Sequence, residues 1–330
     1  MSVPRFDRAV RRDAGNPIIA LGGVGSPYEM QVFDQQIVID PADATQLIMY
    51  ASGLAAPVQL GEMSILRFTA PVADPNTWTY IGQVLTKGGG SSWDQDHARM
   101  ASVVYAGGTW YLYYSGINGS TIQCGLATSA DGLTFTKHAS NPILTPTGQG
   151  RTDGDSVEFP VVINEGGAWT MIYAYRDGLR ILPGFRYATS PDGIAWTKGG
   201  AGDILTTDPF QCEGHQLLKI GSTYWLLYDA GTQAIEPYQI YATASGSPIG
   251  PFQRGRVLIP PSRVPGAWDR YHTANVYVVE IASGVWRVYY SAAGDHDQPY
   301  GTNTWPIGVA LLPTLDGDIQ TAGSVGRGGM

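Results

Sequence analysis

Short apolar or alternating runs, broken by Gly, Pro, Asn and Asp, follow one another along almost the whole chain and predict strands; few stretches keep a helical period. One kind of run recurs. Aromatic-rich segments stand at Gln46-Leu-Ile-Met-Tyr50, Trp110-Tyr-Leu-Tyr-Tyr114, Trp169-Thr-Met-Ile-Tyr173, Tyr224-Trp-Leu-Leu-Tyr228 and Trp286-Arg-Val-Tyr-Tyr290. Eleven or twelve positions ahead of each is a polar residue: Asp34, Arg99, Glu158, Glu213 and Asn275. These five are separated by 65, 59, 55 and 62 residues, the spacing expected of four-stranded blades around a common axis. The pattern predicts an all-β, five-bladed β-propeller in which equivalent positions on the innermost strands converge on one mouth.

Within each unit the aromatic strand is followed by an alternating third strand, as in Ile122-Gln-Cys-Gly-Leu-Ala-Thr-Ser129, Phe185-Arg-Tyr-Ala-Thr-Ser190 and Ile240-Tyr-Ala-Thr-Ala-Ser245. Asp131-Gly132 and Asp192-Gly193 then read as tight corners, because Gly accepts positive φ and Asp bonds its own backbone. Candidate fourth strands are Gln83-Val-Leu-Thr86, Asn141-Pro-Ile-Leu144, Asp203-Ile-Leu-Thr206 and Arg256-Val-Leu-Ile259. The last unit, ending at Ile307-Gly-Val-Ala-Leu-Leu312, has none after it. The orphan Asn16-Pro-Ile-Ile19 is expected to pair there, closing the propeller with an N-terminal strand and removing two open sheet edges. Residues 1–312 then form one domain, and 313–330 a loose C-terminal tail.

Composition fits this reading and narrows the partners. Gly 43, Pro 22, 19 Tyr and 9 Trp suit many short strands joined by turns. A net charge of −8 without a clustered basic stripe argues against a nucleic-acid partner. No segment is apolar enough for a membrane span, and the first residues lack the apolar run of a secretion signal, which leaves localisation open. Cys124 and Cys212 fall in different repeats and read as buried thiols.

Three carboxylates, an arginine and an amide would therefore share one cavity. Two repeats also carry Trp-Asp-x-x-His ahead of the inner strand, at Trp93-Asp94-Gln-Asp96-His97 and Trp268-Asp269-Arg-Tyr-His272. Trp93 and Trp268 offer flat faces for sugar rings at the mouth, and Arg99, Asp96, Asp155, His215, His272 and Asn275 are candidates to bond a substrate's hydroxyls. No Cys/His spacing marks a metal site, and no phosphate loop or Ser-His-Asp order stands out.

In this register the chain resembles the five-bladed glycoside hydrolases of family 43 and their relatives. The segment Glu213-Gly-His-Gln-Leu-Leu-Lys-Ile-Gly-Ser-Thr-Tyr-Trp-Leu-Leu-Tyr228 is similar to that family's Glu-Gly-Pro run and Tyr-Tyr-Leu strand, with His215 in place of the proline. Ala244-Ser-Gly-Ser-Pro-Ile-Gly-Pro-Phe252 resembles its Ser-Pro-x-Gly-Pro-Phe turn. The resemblance implies Glu213 as general acid, Asp34 as general base, and Glu158 as the carboxylate that tunes the acid and orients the sugar. Glu29 competes with Asp34 for the first role, and Asp155 with Glu158 for the last. It implies inverting hydrolysis of arabinofuranoside or xyloside-type linkages in an oligosaccharide or polysaccharide, and in several relatives the blade of His272 touches an axial calcium. Glu158-Phe-Pro160 also resembles an element of mannoside-acting propellers. The rival expectation is a non-catalytic carbohydrate-binding propeller of an adhesin or viral tail.

Overall fold

The computed structural model describes residues 4–312 apart from 7–9, 56–61, 148–152, 178–180, 201, 207–210, 233–235 and 295–304. The C-terminal stretch from 313 lies outside the described residues. Among those described there is no helix. A short strand, β1 (Arg11–Arg12), precedes five antiparallel groups. They are β2 (Gln31–Ile39), β3 (Gln46–Leu54), β4 (Met63–Pro71) and β5 (Thr79–Leu85); β6 (His97–Ala106), β7 (Thr109–Asn118), β8 (Thr121–Ser129) and β9 (Thr136–Lys137); β10 (Ser156–Glu165), β11 (Ala168–Arg176), β12 (Ile181–Ser190), β13 (Thr197–Lys198) and β14 (Leu205–Thr206); β15 (Gln211–Ile220), β16 (Thr223–Thr232), β17 (Glu236–Ser245) and β18 (Arg256–Ile259); and β19 (His272–Ala282), β20 (Val285–Ala293) and β21 (Ile307–Leu311). The second and third groups meet through one parallel bridge, Ser156 to Ile122.

The first strands touch in sequence, β2 to β6, β6 to β10, β10 to β15, β15 to β19, and β19 back to β2. Hydrophobic clusters fill the gaps between successive groups. Ile48 and Tyr50 pack with Val103, Trp110 and Leu112, for example, while Val32, Met49 and Leu66 pack with Ile281, Tyr289 and Val309 of the last group. Tyrosine suits these gaps because a large ring fills space while its hydroxyl finds a partner. Tyr50 donates to the Gly132 carbonyl at 2.7 Å and Tyr113 to the Gly193 carbonyl at 2.8 Å, so each Asp-Gly corner fastens the preceding group. At those corners Gly132 and Gly193 have φ of 69° and 77°, which explains their glycines.

The N-terminal segment lies along β21. Arg11 and Arg12 pair with Leu311 and Ala310, Ile18 and Ile19 bond Ile307, and the Asn16 amide exchanges bonds with the Val309 backbone. Asn141 treats Leu126 in the same way, and Ile143 and Leu144 bond Cys124. The two Asn-Pro-Ile segments therefore do one job in two groups. In the second group the fourth position is split between β9 and this bridge, rather than being the single strand expected over 141–144.

Candidate active site

Each first strand carries a β-bulge at the same place relative to its neighbour, and β19 has a second register shift between Glu280 and Ala282. The register shifts between Phe33 and Gln36, Arg99 and Ser102, Glu158 and Val161, Cys212 and His215, and Ala274 and Tyr277. The leading bulge residues are thus Asp34, Met100, Phe159, Glu213 and Asn275. A bulge leaves a residue out of the ladder and re-aims side chains, which is why such positions gather at functional sites. Asp34, Met100, Phe159 and Asn275 hold φ of 53°, 59°, 53° and 51°, a conformation non-glycine residues rarely adopt. Their backbone turns Asp34 and Asn275 toward a pocket also lined by Gln36, Ser102, Pro160 and Tyr277.

Arg99 and Glu158 stand one residue ahead of the bulge, not at the position shared by the others. Trp225, rather than Tyr224, corresponds to Trp110, because Tyr228 pairs with His215 as Tyr113 pairs with Ser102. Counting from the first aromatic ring therefore shifts the register by one in the fourth group, and the extra residue of β19 between Glu280 and Ala282 does so in the fifth. Both side chains nonetheless reach the same centre. Arg99 lowers the pKa of Asp34 and of Glu213, and Glu158 raises that of Glu213.

Exposure divides the carboxylates into two classes. Asp34 and Glu213 are partly exposed, whereas Glu158 and Asp229 have no exposed surface. Burial of its carboxyl is the main cause that raises Asp34 to about 7; Arg99 and hydrogen bonds from Ser52 and Asn275 oppose it, and Glu213 adds to it. Asn275 Nδ2 donates to Asp34 Oδ1 at 2.6 Å, and Asp34 Oδ2 is buried with no partner. Glu213 is likewise raised by burial and by Glu158, against a bond from Tyr238, whose hydroxyl donates to Oε1 at 2.9 Å, and against Arg99 and Arg176. Glu158 Oε1 accepts from Ser156 Oγ at 2.7 Å and Arg176 Nε at 2.8 Å, leaving Oε2 buried and unpartnered. Arg99 makes no ion pair with Asp34 or Glu213, and its Nε is buried without a hydrogen bond. The arrangement offers two partly exposed residues whose carboxyls are held toward their protonated forms, with the neutral donors Asn275 and Ser52 opposing this at Asp34 and Tyr238 at Glu213.

No protein-family model matches the chain. "Uncharacterized protein Rv1502" of Mycobacterium tuberculosis is 30% identical over 125 residues, which covers 35% of this chain and 41% of that relative, well short of its full length. Among solved structures, a thermostable family-43 glycoside hydrolase superposes with a TM-score of 0.68 at 16% identity, over 93% of this chain and 96% of its own. The catalytic domain of the Coprinopsis cinerea GH62 alpha-L-arabinofuranosidase gives 0.68 at 12% identity, over 93% and 98%. An endo-arabinase from Bacteroides thetaiotaomicron gives 0.63 at 13%, over 91% and 99%. The fold is that of the propeller glycoside hydrolases.

Within that fold several expected residues take other places. Trp93 lies on Tyr114, with ring centroids 5.4 Å apart, and against Gly116 and Gly125; Trp268 lies on Tyr290 at 5.1 Å and against Gly308. Both indoles are occupied by packing within their own groups rather than spread over the mouth. The adjoining aspartates are anchors: Asp94 accepts from Tyr114 at 3.0 Å and Lys137 at 2.5 Å, Asp269 from Tyr290 at 3.2 Å and Arg12 at 2.5 Å. His97 and His272 each accept a backbone N–H of the preceding group at Nδ1, from Met63 and Tyr238, both at 3.2 Å. Trp-Asp-x-x-His is thus an inter-group clasp.

Asp96 receives Gly119 N–H in an exposed turn, and the Asp155 backbone N–H bonds Arg176. Glu29 accepts Gly25 N–H in the preceding loop, so Asp34 is the acid on the inner strand. The His215 ring lies 4.3 Å from Phe185 with its nitrogens toward the carbonyls of Glu213 and Ile172; burial pushes its pKa down to about 4 and keeps it neutral. Glu158 has no exposed surface and can act on the centre only through its neighbours. Among the described residues no group of three or more His, Cys, Asp or Glu is arranged to hold a metal ion, and no helix is long and apolar enough to cross a membrane.

Sequence reasoning missed Asp229, Arg176 and Tyr238, which sit on second and third strands. One signal was available: the glycine after Glu213. A Cβ on Gly214 would come within 2.7 Å of Asp229 Oδ1, 2.7 Å of Asn275 Nδ2 and 2.8 Å of Asn275 Cα. Gly214→Ala is therefore expected to destabilise the protein by about 1–3 kcal/mol, as overpacking against backbone does. A urea titration giving wild-type stability would show that Asn275 can move aside freely.

Proposed function

We propose that residues 1–312 form a five-bladed propeller, closed by the N-terminal segment along β21, and that it is a glycoside hydrolase acting on oligosaccharide or polysaccharide. Asp34 is the general base, Glu213 the general acid, and Glu158 the group that tunes the acid. The observation carrying this reading is the pair Asp34 and Glu213, which occupy equivalent bulges, are partly exposed, lie close enough for Glu213 to raise the Asp34 pKa, and are both held toward protonation while Glu158 and Asp229 are fully buried. Acetal cleavage uses two carboxyls at one site: a protonated one gives its proton to the leaving oxygen while an ionised one draws a proton from water.

Inversion is the expected course, because water attacks directly from the face opposite the leaving group when the two carboxyls stand roughly 6.5–9.5 Å apart. Pentosides are the first substrates to try, since the similar folds include an alpha-L-arabinofuranosidase. The test is a panel of aryl pentosides and hexosides, with the first-formed sugar observed by proton nuclear magnetic resonance. Release of the inverted anomer supports the proposal. Release of the retained anomer would remove direct water attack, and binding without turnover of any member would favour a glycan-binding propeller.

A further inference from the structure

The proposed mechanism gives no task to Asp229, on β16, although it is fully buried and its Oδ2 has no hydrogen-bond partner. Its Oδ1 accepts the backbone N–H of Asn275 at 2.8 Å. The corresponding bulge N–H groups of Met100 and Phe159 are satisfied by hydroxyls, Ser52 Oγ at 2.9 Å and Ser115 Oγ at 3.0 Å. A serine therefore suffices for the bond, yet a carboxyl stands at Asn275. The Asn275 side chain in turn donates from Nδ2 to Asp34 at 2.6 Å. Asp229, Asn275 and Asp34 thus form a continuous line across three strands, with Gly214 leaving no slack beside it.

We infer that Asp229 is a positioning residue for Asp34, acting through Asn275; the inference rests on Asp34 being the base. Holding the bulge N–H fixes Asn275 in its left-handed conformation, with φ of 51°, and this aims Nδ2 at the carboxylate. A donor to the ionised form of Asp34 keeps that form accessible at neutral pH. The charged or titratable groups facing Asp34 are Arg99 on β6, Glu213 on β15 and Asp229 itself. Burial first, then Glu213 and Asp34, raise Asp229 well above the usual carboxylate range, which favours its neutral form and limits the negative charge beside Asp34.

The test follows the Asp34 carboxyl carbon by nuclear magnetic resonance titration, assigned by its loss in Asp34→Asn, in wild type, Asp229→Ala, Asn275→Ala and the double variant. Either single change should raise the Asp34 midpoint by about one pH unit, a tenfold smaller ionised fraction below it. The double variant should match Asn275→Ala alone. Asp229→Asn keeps Oδ1 and should keep the wild-type midpoint; together with Asn275→Ala it decides the matter if Asp229→Ala does not fold. An unmoved midpoint in Asp229→Ala, a double variant that departs from Asn275→Ala alone, or any shift in Asp229→Asn would each overturn the inference; a fall in either of the last two would show direct action of charge, because removing a negative charge beside Asp34 lowers its pKa. The titration reads Asp34 whether or not a sugar is cleaved. A chain that hydrolyses nothing but shows the expected midpoints would thus refute the glycosidase reading and spare the Asp229–Asn275–Asp34 coupling.

Discussion

Replacing Glu213 with Gln is expected to lower kcat on an unactivated glycoside by about 10²–10⁴-fold while the sugar still binds. Gln keeps the size of the side chain and can still receive the Tyr238 hydroxyl that now bonds Oε1 at 2.9 Å, so the pocket keeps its shape. What disappears is the proton. Desolvation of the Glu213 carboxyl and the nearby Glu158 raise its pKa and so favour keeping that proton, against the pull of Tyr238, Arg99 and Arg176. The loss should shrink as the leaving group becomes a better one, since a nitrophenolate departs without help and an alkoxide does not. A series of aryl glycosides measured beside a natural oligosaccharide, with calorimetric binding of that oligosaccharide to the variant, separates the two contributions. Equal rates for Gln and Glu on the oligosaccharide would dismiss Glu213 as the acid.

Much of this architecture was legible because blades repeat. Alternating third strands and Asp-Gly corners were readable at β8 and β12, and the fit of Asn16-Pro-Ile-Ile19 against β21 followed from the segment left without a partner. The bulges were not readable. A bulge adds a residue to one strand without changing its composition, so its place emerges only from pairing, and Arg99 and Glu158 were placed one residue off. Their side chains still arrive at the centre because they flank the bulge. Trp-Asp-x-x-His misled for a different reason. An indole beside an acid and a histidine has the chemistry of a sugar site, but at Asp94 and Asp269 the acid is satisfied by a tyrosine and a cation of its own group. Asp229 and Arg176 went unnoticed because only first strands were compared. Asp229 interrupts an otherwise apolar and aromatic β16, and a charge in such a run is the sign that could have been followed.

Asp34→Ala should be as damaging to hydrolysis, about 10²–10⁴-fold on kcat, and should differ from Glu213→Gln in how it is rescued. The base acts on water, so a small anion that is already nucleophilic needs no base. The Ala variant leaves room where the carboxylate was, beside Asn275 Nδ2, which then has an anion acceptor to bond once azide enters. Azide should restore turnover of an aryl glycoside in Asp34→Ala, giving the glycosyl azide of inverted configuration, and should do nothing for Glu213→Gln on a poor leaving group. The pH profile carries the same assignment. A base must be ionised, so wild-type kcat/KM should rise with pH through about 7, where burial places Asp34, instead of near the ordinary carboxylate value. In the azide-rescued variant that rising limb should vanish, because the group that produced it is gone. If the limb persists at about 7 without Asp34, the titrating base is another residue, and the buried carboxyls around Asn275 would have to be reassigned.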